Sequence, residues 1–573
     1  MSAPRLPTLF GSTNIPIVAL LLLAVVTPAS AAPLTFTVNS IFDIPDATPG
    51  DNVCETALGT HVCTLRAAIQ EANAHAGNDT IVLQAGATYV LTRVGAADDT
   101  ALNGDLDINH SVTITGSGAA STIIDGNGSV TKERVFQIAA AATVSISGVT
   151  IRNGNSSTLG GGILNDGTLT LSDSSVTGNV VAGANDWGGG IYNSGTMSIV
   201  RSDISGNMTG NHNAYGGGIM NQGEMTITDS TISGNATYGG SSPFSPGFGG
   251  GIFTTTLHVG DELRIQNSTI SGNSAAVGGG IHKTGAPLIA INSTISGNFS
   301  AGDGGGIYAS AGTTSLFNVT ITQNTANSDE VGVGIGGGIT SAAGATVIFL
   351  NSIIAQNEFV VVTQGGNLLK LDDCAGTLTS LSINNIMGAD GDGVDTSHCT
   401  VGGTYTAADP ALGPLQDNGG PTQTHALLAG SPAIDAGTSG GCTDDLSTTI
   451  TQDQRGIARP QDGDANHVAK CDIGAYELGT PATASLRKPK DGATNATTRP
   501  HLKWKATPGA LDYHLQLRQG SVTGTLVVDT TTSRTKLTAP QLTNGTTYVW
   551  HVRACDDIGC GKYSAYRSFK VTQ

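Results

Sequence analysis

Through the middle of the chain, apolar and polar residues alternate with a period of two, in short bursts. Thr196-Met197-Ser198-Ile199-Val200 and Glu224-Met225-Thr226-Ile227-Thr228 alternate, and Asp229-Ser230-Thr231-Ile232-Ser233 alternates again with Ile inward. That period marks strands with one buried face. Gly, Asn and Ser-Gly turns separate the bursts, so each unit holds about three short strands. No window of helical length carries a 3.6-residue period in this region, which excludes helical repeats.

The bursts belong to a repeat. Gly-Gly-Gly-Ile occurs at Gly160–Ile163, Gly188–Ile191, Gly216–Ile219, Gly249–Ile252, Gly278–Ile281, Gly304–Ile307 and Gly336–Ile339. Half a period later comes Thr177-Gly178-Asn179, then Ser-Gly-Asn ending at Asn207, Asn235, Asn273 and Asn298, with looser copies ending at Asn324 and Asn357. A fixed period of this size reads as a solenoid or propeller, and a propeller blade needs ~40–45 residues, more than these units hold. The pattern predicts a parallel β-helix, its coils stacked at ~4.8 Å into a segment of roughly 35 Å. The glycines serve sharp corners, the isoleucines an aliphatic stack, and the asparagines both the left-handed region and hydrogen bonds to the next coil. These are scaffold roles.

Upstream, Thr64 and the face Leu65, Ala68, Ile69 and Ala72 predict a capped amphipathic helix ending at Gly77. It suits the exposed first coil of a solenoid, which needs a cover. Cys63-Thr64-Leu65-Arg66-Ala67-Ala68 resembles the CSLREA motif of exported bacterial β-helix proteins, with Thr64 for Ser and Ala67 for Glu. The Gly-Gly-Gly-Ile and Ser-Gly-Asn phrases are similar to repeats of polymorphic outer-membrane proteins and of the pectate-lyase-like superfamily. That resemblance implies a right-handed β-helix.

From Asp409 the texture changes. Gly430-Ser431-Pro432-Ala433-Ile434-Asp435-Ala436-Gly437, Asp453-Gln454-Arg455-Gly456 and Cys471-Asp472-Ile473-Gly474-Ala475-Tyr476-Glu477 resemble the C-terminal cap of choice-of-anchor surface β-helix proteins. After a Pro/Ala/Thr-rich linker from Pro481, Trp504, Tyr513 and the run Leu542–Ala554 resemble a fibronectin type III module with its tyrosine corner. The expected organisation is a signal peptide at 1–31, a parallel β-helix at 32–408 with its cap helix near 64–75, a β-helix cap at 409–480, and linker plus fibronectin-like sandwich at 481–573. The fold class is all-β.

Composition narrows the rest. Charged residues are 12% of the chain, aromatics 5%, and glycines 80 of 573, a turn-rich all-β balance. The net charge is −18, but it is unevenly spread. Residues 481–573 hold 13 Lys and Arg against 5 Asp and Glu, and the remainder holds 13 against 39. An acidic body argues against a nucleic acid partner. Arg5, the apolar run Ile15–Val26 and Ala29-Ser30-Ala31 read as an export signal. No later segment is long and apolar enough to span a membrane. The eight cysteines fall as local pairs, Cys54/Cys63, Cys374/Cys399, Cys442/Cys471 and Cys555/Cys560. Disulfides are expected in an exported chain, with locality the reason for this pairing.

No catalytic residue is assigned. Asp166, Asp173, Asp186, Asp203, Asp229 and Asp303 are scattered along the repeat, and the bases Arg134, Arg152, Arg201, Arg264 and Lys283 share no position. Asp173, Asp203 and Asp229, followed by Asn267, Asn292 and Asn318, read as a turn-stabilising ladder. Asp462, Asp464 and Asn466 alternate as oxygen ligands do in calcium loops. Lacking the glycine and distal glutamate of an EF-hand, this run, like Asp390–Asp395, also reads as an acidic solvated turn. The expected function is non-catalytic adhesion or binding to an extracellular polysaccharide or a cell-surface component, outside the cell. The alternative is a polysaccharide lyase or glycoside hydrolase of the pectate-lyase-like superfamily, working in the groove of the rod.

Overall fold

The computed structural model describes residues 31–572 apart from 96–98, 184–185, 211–213, 239–246, 329–333, 364–365, 382–383, 389–397, 439–441, 464–467, 480, 482, 508–509 and 556–559. The expected signal peptide falls on residues 1–30, outside the described residues.

Short strands repeat coil after coil and pair in parallel with their counterparts one period away, giving all-β architecture of the parallel β-solenoid kind. One coil shows the plan. Ile191–Asn193 and Thr196–Val200 enter a broad sheet, Asp203–Ser205 a middle sheet and Met208–Thr209 a narrow one. A coil thus carries four strands where the alternation alone indicated about three. The two broad-sheet columns count as one sheet because Cys374–Ser380 pairs with both. Twelve strands in the middle sheet give a rod of roughly 50 Å at the ordinary strand spacing.

Residue chemistry accounts for the register. Ile163, Ile191, Ile219, Ile252, Ile281, Ile307 and Ile339 are Cα partners in sequence and fully buried. Each contributes roughly 1.5–3 kcal/mol relative to exposure. A one-residue slip would turn the whole column outward.

The three glycines before Ile191 differ in purpose. Gly188 adopts φ of +70°, in the left-handed region. A Cβ on Gly189 would lie 2.3 Å from the Gly217 carbonyl oxygen of the next coil, and one on Gly190 would meet Asn207 at 2.8 Å. Gly190 therefore makes room for the asparagine ladder. Asn179, Asn207, Asn235, Asn273, Asn298, Asn324 and Asn357 stack inside the rod, each Nδ2 donating to the next Oδ1 at 2.9–3.0 Å. The ladder ends on Asp373, which accepts from Asn357 at 2.9 Å. In Ser-Gly-Asn the left-handed residue is the glycine, as at Gly206, and in the loose copies Gln323 and Gln356 replace it; the asparagine turns inward.

The expected Asx ladder needs one correction. Asp173, Asp229, Asn267, Asn292 and Asn318 do share a left-handed corner, but Arg201 holds it in the intervening coil. Asp203 instead lies within a strand, paired with Ser175 and Thr231. Arg201 fits the corner because its guanidinium reaches back to Asp173 at 2.7 Å.

Helix α1, Leu65–Ala74, covers the first coils. Thr64 caps it by accepting from Ala67 N. Arg66 is buried, paired with Asp43 at 2.5 Å and donating to the carbonyls of Ala101, Gly104 and Asp105. The helix stops at Ala74, short of Gly77, because His75 turns extended and its ring meets Asp79 at 2.9 Å.

The stretch after Pro410 lies along the flank of the rod. Arg264 pairs with Asp445, Thr294 with Gln454, Ser296 with His425, and Asn384 donates to the Ala436 carbonyl. Its motif residues converge on one buried ionic knot. Arg459 pairs with Glu477 at 2.9 Å, Asp472 accepts from Asp435 N and Leu478 N, and Asp453 accepts from Glu477 N and binds Arg455.

Further on, Leu486–Lys488, His501–Trp504 and Lys536–Thr538 form one sheet. A five-stranded sheet that includes Asp512–Gln519 and Thr547–Cys555 accompanies it. Trp504, Tyr513, Trp550, Val552 and Phe569 fill the core of this unit. The Tyr548 hydroxyl accepts from Thr543 N at 3.0 Å, five residues upstream, the hydrogen bond of a tyrosine corner. Disulfides join Cys54–Cys63, Cys374–Cys399, Cys442–Cys471 and Cys555–Cys560. They suit an oxidising compartment. Among the described residues no helix is long and apolar enough to cross a membrane.

Candidate functional site

The positions on either side of Gly-Gly-Gly-Ile face outward, and they carry rings. The residue before the glycines forms one column, Leu159, Trp187, Tyr215, Phe248 and Val277, bridged in parallel from coil to coil. The residue after the isoleucine forms a second, Leu164, Tyr192, Met220, Phe253, His282 and Tyr308. Ring centroids lie 5.7 Å apart for Trp187 and Tyr215, 5.4 Å for Tyr215 and Phe248, 4.7 Å for Tyr215 and Phe253, and 4.9 Å for His282 and Tyr308. The columns lock into an apolar ridge outside the main core. Tyr192 and Phe253 keep only 6% exposure, whereas Trp187, Tyr215, Phe248 and Tyr308 are half-buried.

Hydrogen-bonding groups border the ridge. The Tyr192 hydroxyl donates to Gln222, and Ser194 donates to Asp166. Burial first, then Asp166, raises the Tyr192 phenol pKa; burial, then Asp303, does the same at Tyr308. Burial pulls His282 down to about 4, so its imidazole is neutral near pH 7. The ridge presents neutral rings edged by hydroxyl, amide and carboxylate groups. This surface suits stacking on the apolar face of a sugar, with polar groups left for its hydroxyls.

Sequence reasoning missed the ridge, although a signal was there. Six of the chain's aromatic residues, in a sequence with only 5% of them, flank the one repeated phrase. The acids singled out from sequence stay apart. Asp173 binds Arg201, Asp186 accepts from Gly183 N and Gly210 N, Asp229 accepts from Asn267, and Asp303 accepts from Ile335 N. Lys283 is buried, donates to the Thr313 carbonyl at 2.8 Å, and is lowered by burial to about 8. The fold does gather Glu224, Glu262, Arg264 and Asp445. Glu262 N donates to Glu224 at 2.9 Å, and burial followed by Glu224 raises the Glu262 carboxyl.

Of the expected calcium ligands, Asp462 is described, while Asp464 and Asn466 lie outside the described residues, as does Asp390–Asp395. Among the described residues no group of three or more His, Cys, Asp or Glu side chains is arranged to hold a metal.

The fold defines an all-β protein with a parallel solenoid. No family model matches the chain, and no curated protein matches it. A solved structure, the crystal structure of FN3tt, is similar over 16% of this chain and 97% of its own, at 18% identity and a TM-score of 0.14. A likeness of that score adds nothing on function.

Proposed function

We propose that the chain is an exported rod, a right-handed parallel β-helix over 32–408 with a cap at 409–480. On this reading it ends in a fibronectin type III-like module within 481–573 and binds extracellular polysaccharide without turnover. The observation that carries this reading is the aromatic ridge, in register along successive coils and edged by hydrogen-bonding side chains. A linear glycan lying along the rod meets the half-buried first column, Trp187, Tyr215 and Phe248, one ring per coil, so weak contacts add by avidity. Release into an oxidising exterior after loss of residues 1–31 agrees with the four disulfides.

Trp187 supplies the test. It is the one tryptophan of the rod, since Trp504 and Trp550 are buried further along the chain. Neutral polysaccharides titrated into the protein are expected to change its fluorescence, and Trp187→Ala with Tyr215→Ala to weaken binding about tenfold, near 1.4 kcal/mol. A panel that leaves fluorescence and retention unaltered rejects the reading. The second reading, a lyase or hydrolase, draws on Glu224, Glu262 and Arg264. New reducing ends or unsaturated products that vanish in Glu262→Gln would establish it in place of simple binding.

A further inference from the structure

We infer that the three-stranded sheet near the C-terminus is a binding face for an acidic polysaccharide. It is distinct in place and chemistry from the ridge on the rod. In that sheet Lys488 is the register partner of Lys503, and Lys503 of Lys536. Three lysines thus stand side by side across three strands, and all three are exposed. Like charges directly opposite one another destabilise a sheet. None of the three forms an ion pair among the described residues, and no strand of this sheet carries an Asp or Glu. Exposed Arg487, His501 and Lys505 extend the row along the strands. The fold tolerates a repulsion that contributes nothing to its own stability.

The five-stranded sheet offers a contrast. There His514 meets Asp529, and the imidazole of His551 is stacked between Tyr563 and Tyr566 at 3.9 Å on each side. That sheet carries an acid, Asp529, beside one of its basic groups, whereas no strand of the lysine sheet does.

The lysines are spaced by the strand separation of ~4.8 Å. A linear polyuronate carries a carboxylate on every sugar and can lie across them as a single extended chain. Two features favour such a polymer over other polyanions. The sheet exposes no Phe, Tyr or Trp on which a nucleic acid base could stack. The rest of the chain, with 39 Asp and Glu against 13 Lys and Arg up to residue 480, repels an extended anionic surface such as a membrane.

The test uses the full chain carrying Lys488→Gln, Lys503→Gln and Lys536→Gln. Retention by polygalacturonate in affinity electrophoresis is expected to fall about tenfold at low salt. Wild-type retention should itself fade between about 50 and 300 mM salt as the Debye length shrinks. The thermal midpoint of the variant should hold or rise, since a repulsion has been removed, and the triple Lys→Arg variant should bind like wild type. Binding of a neutral glycan to the ridge should be untouched, so either site can fail alone. Unchanged polygalacturonate retention in the Gln variant overturns the inference. So does tighter, lysine-dependent binding to duplex DNA or to vesicles containing anionic lipid.

Discussion

Asn235 shows how much of this molecule is decided by single side chains. Its amide donates to the Ile204 carbonyl and to Asn273, while its oxygen accepts both the backbone and the side-chain N–H of Asn207. Asn235→Ala removes that acceptor from two buried donors and frees the Ile204 carbonyl. An unmet buried polar group costs about 1–3 kcal/mol, so a loss of about 3 kcal/mol is expected as a lowered urea midpoint. A shift no larger than that of an exposed control such as Thr170→Ala would mean that the ladder contributes little. The repeated Asn was legible in the sequence, but its facing was not. Gly206 and not Asn207 takes the left-handed position because the Asn207 side chain is held inward by Asn179, Asn235 and the Val176 carbonyl, contacts that exist only between stacked coils.

Elements were legible where a local rule dominates. Thr64 marked the start of α1, and period-two alternation marked the strands. The end of α1 was misplaced because His75 pairs with Asp79, four residues on, and what fixes that carboxylate is tertiary: Asp79 lies in a paired strand and accepts from Leu34 N. The ridge escaped notice for a related reason. Trp187 and Tyr192 are five residues apart, and only the coil geometry puts them and Tyr215 on one face. For α1 the expected weak point is Arg66. Removing one partner of a buried ion pair costs about 3–5 kcal/mol, and Arg66→Ala would leave the buried Asp43 carboxylate with only Thr92 and Arg93 N as partners. Limited proteolysis is the sensitive measurement. Cleavage should appear first between residues 31 and 110, with the repeat region intact. Uniform resistance would show that the cap is not what protects the first coils.

At the scale of the whole chain, calcium offers one clear test. If Asp462, Asp464 and Asn466 hold the ion, its removal by a chelator lowers the melting temperature, because a ligand at a hundred times its Kd stabilises by about 2.7 kcal/mol. An unchanged midpoint would leave these residues as a solvated turn. The pH dependence tests the buried network more widely. Burial, first among the causes, raises Asp373 at the end of the ladder to about 7 and Glu71 in α1 to about 7. Burial and then Glu477 raise Asp472 in the ionic knot. For an acid raised on folding, the unfolded chain ionises first, so stability present below about pH 4 is lost as pH climbs through the folded value. His282 and His551 work the other way. Both are lowered to about 4, chiefly by burial, so their contribution is lost as pH falls from the ordinary value near 6.5. These two effects oppose each other under mildly acidic conditions. From about pH 6.5 to 8 the histidines are silent and the acids act alone. The melting temperature should therefore fall across that interval, and Asp373→Asn should flatten the fall whatever it does to absolute stability. Above pH 8 the sign reverses at Lys283, which burial lowers to about 8, since the unfolded chain then holds the extra proton. A melting temperature that does not fall from pH 6.5 to 8 would show that Asp373 and Asp472 are ionised throughout. The ladder would then end on a charge held by Asn357 rather than on a neutral acid.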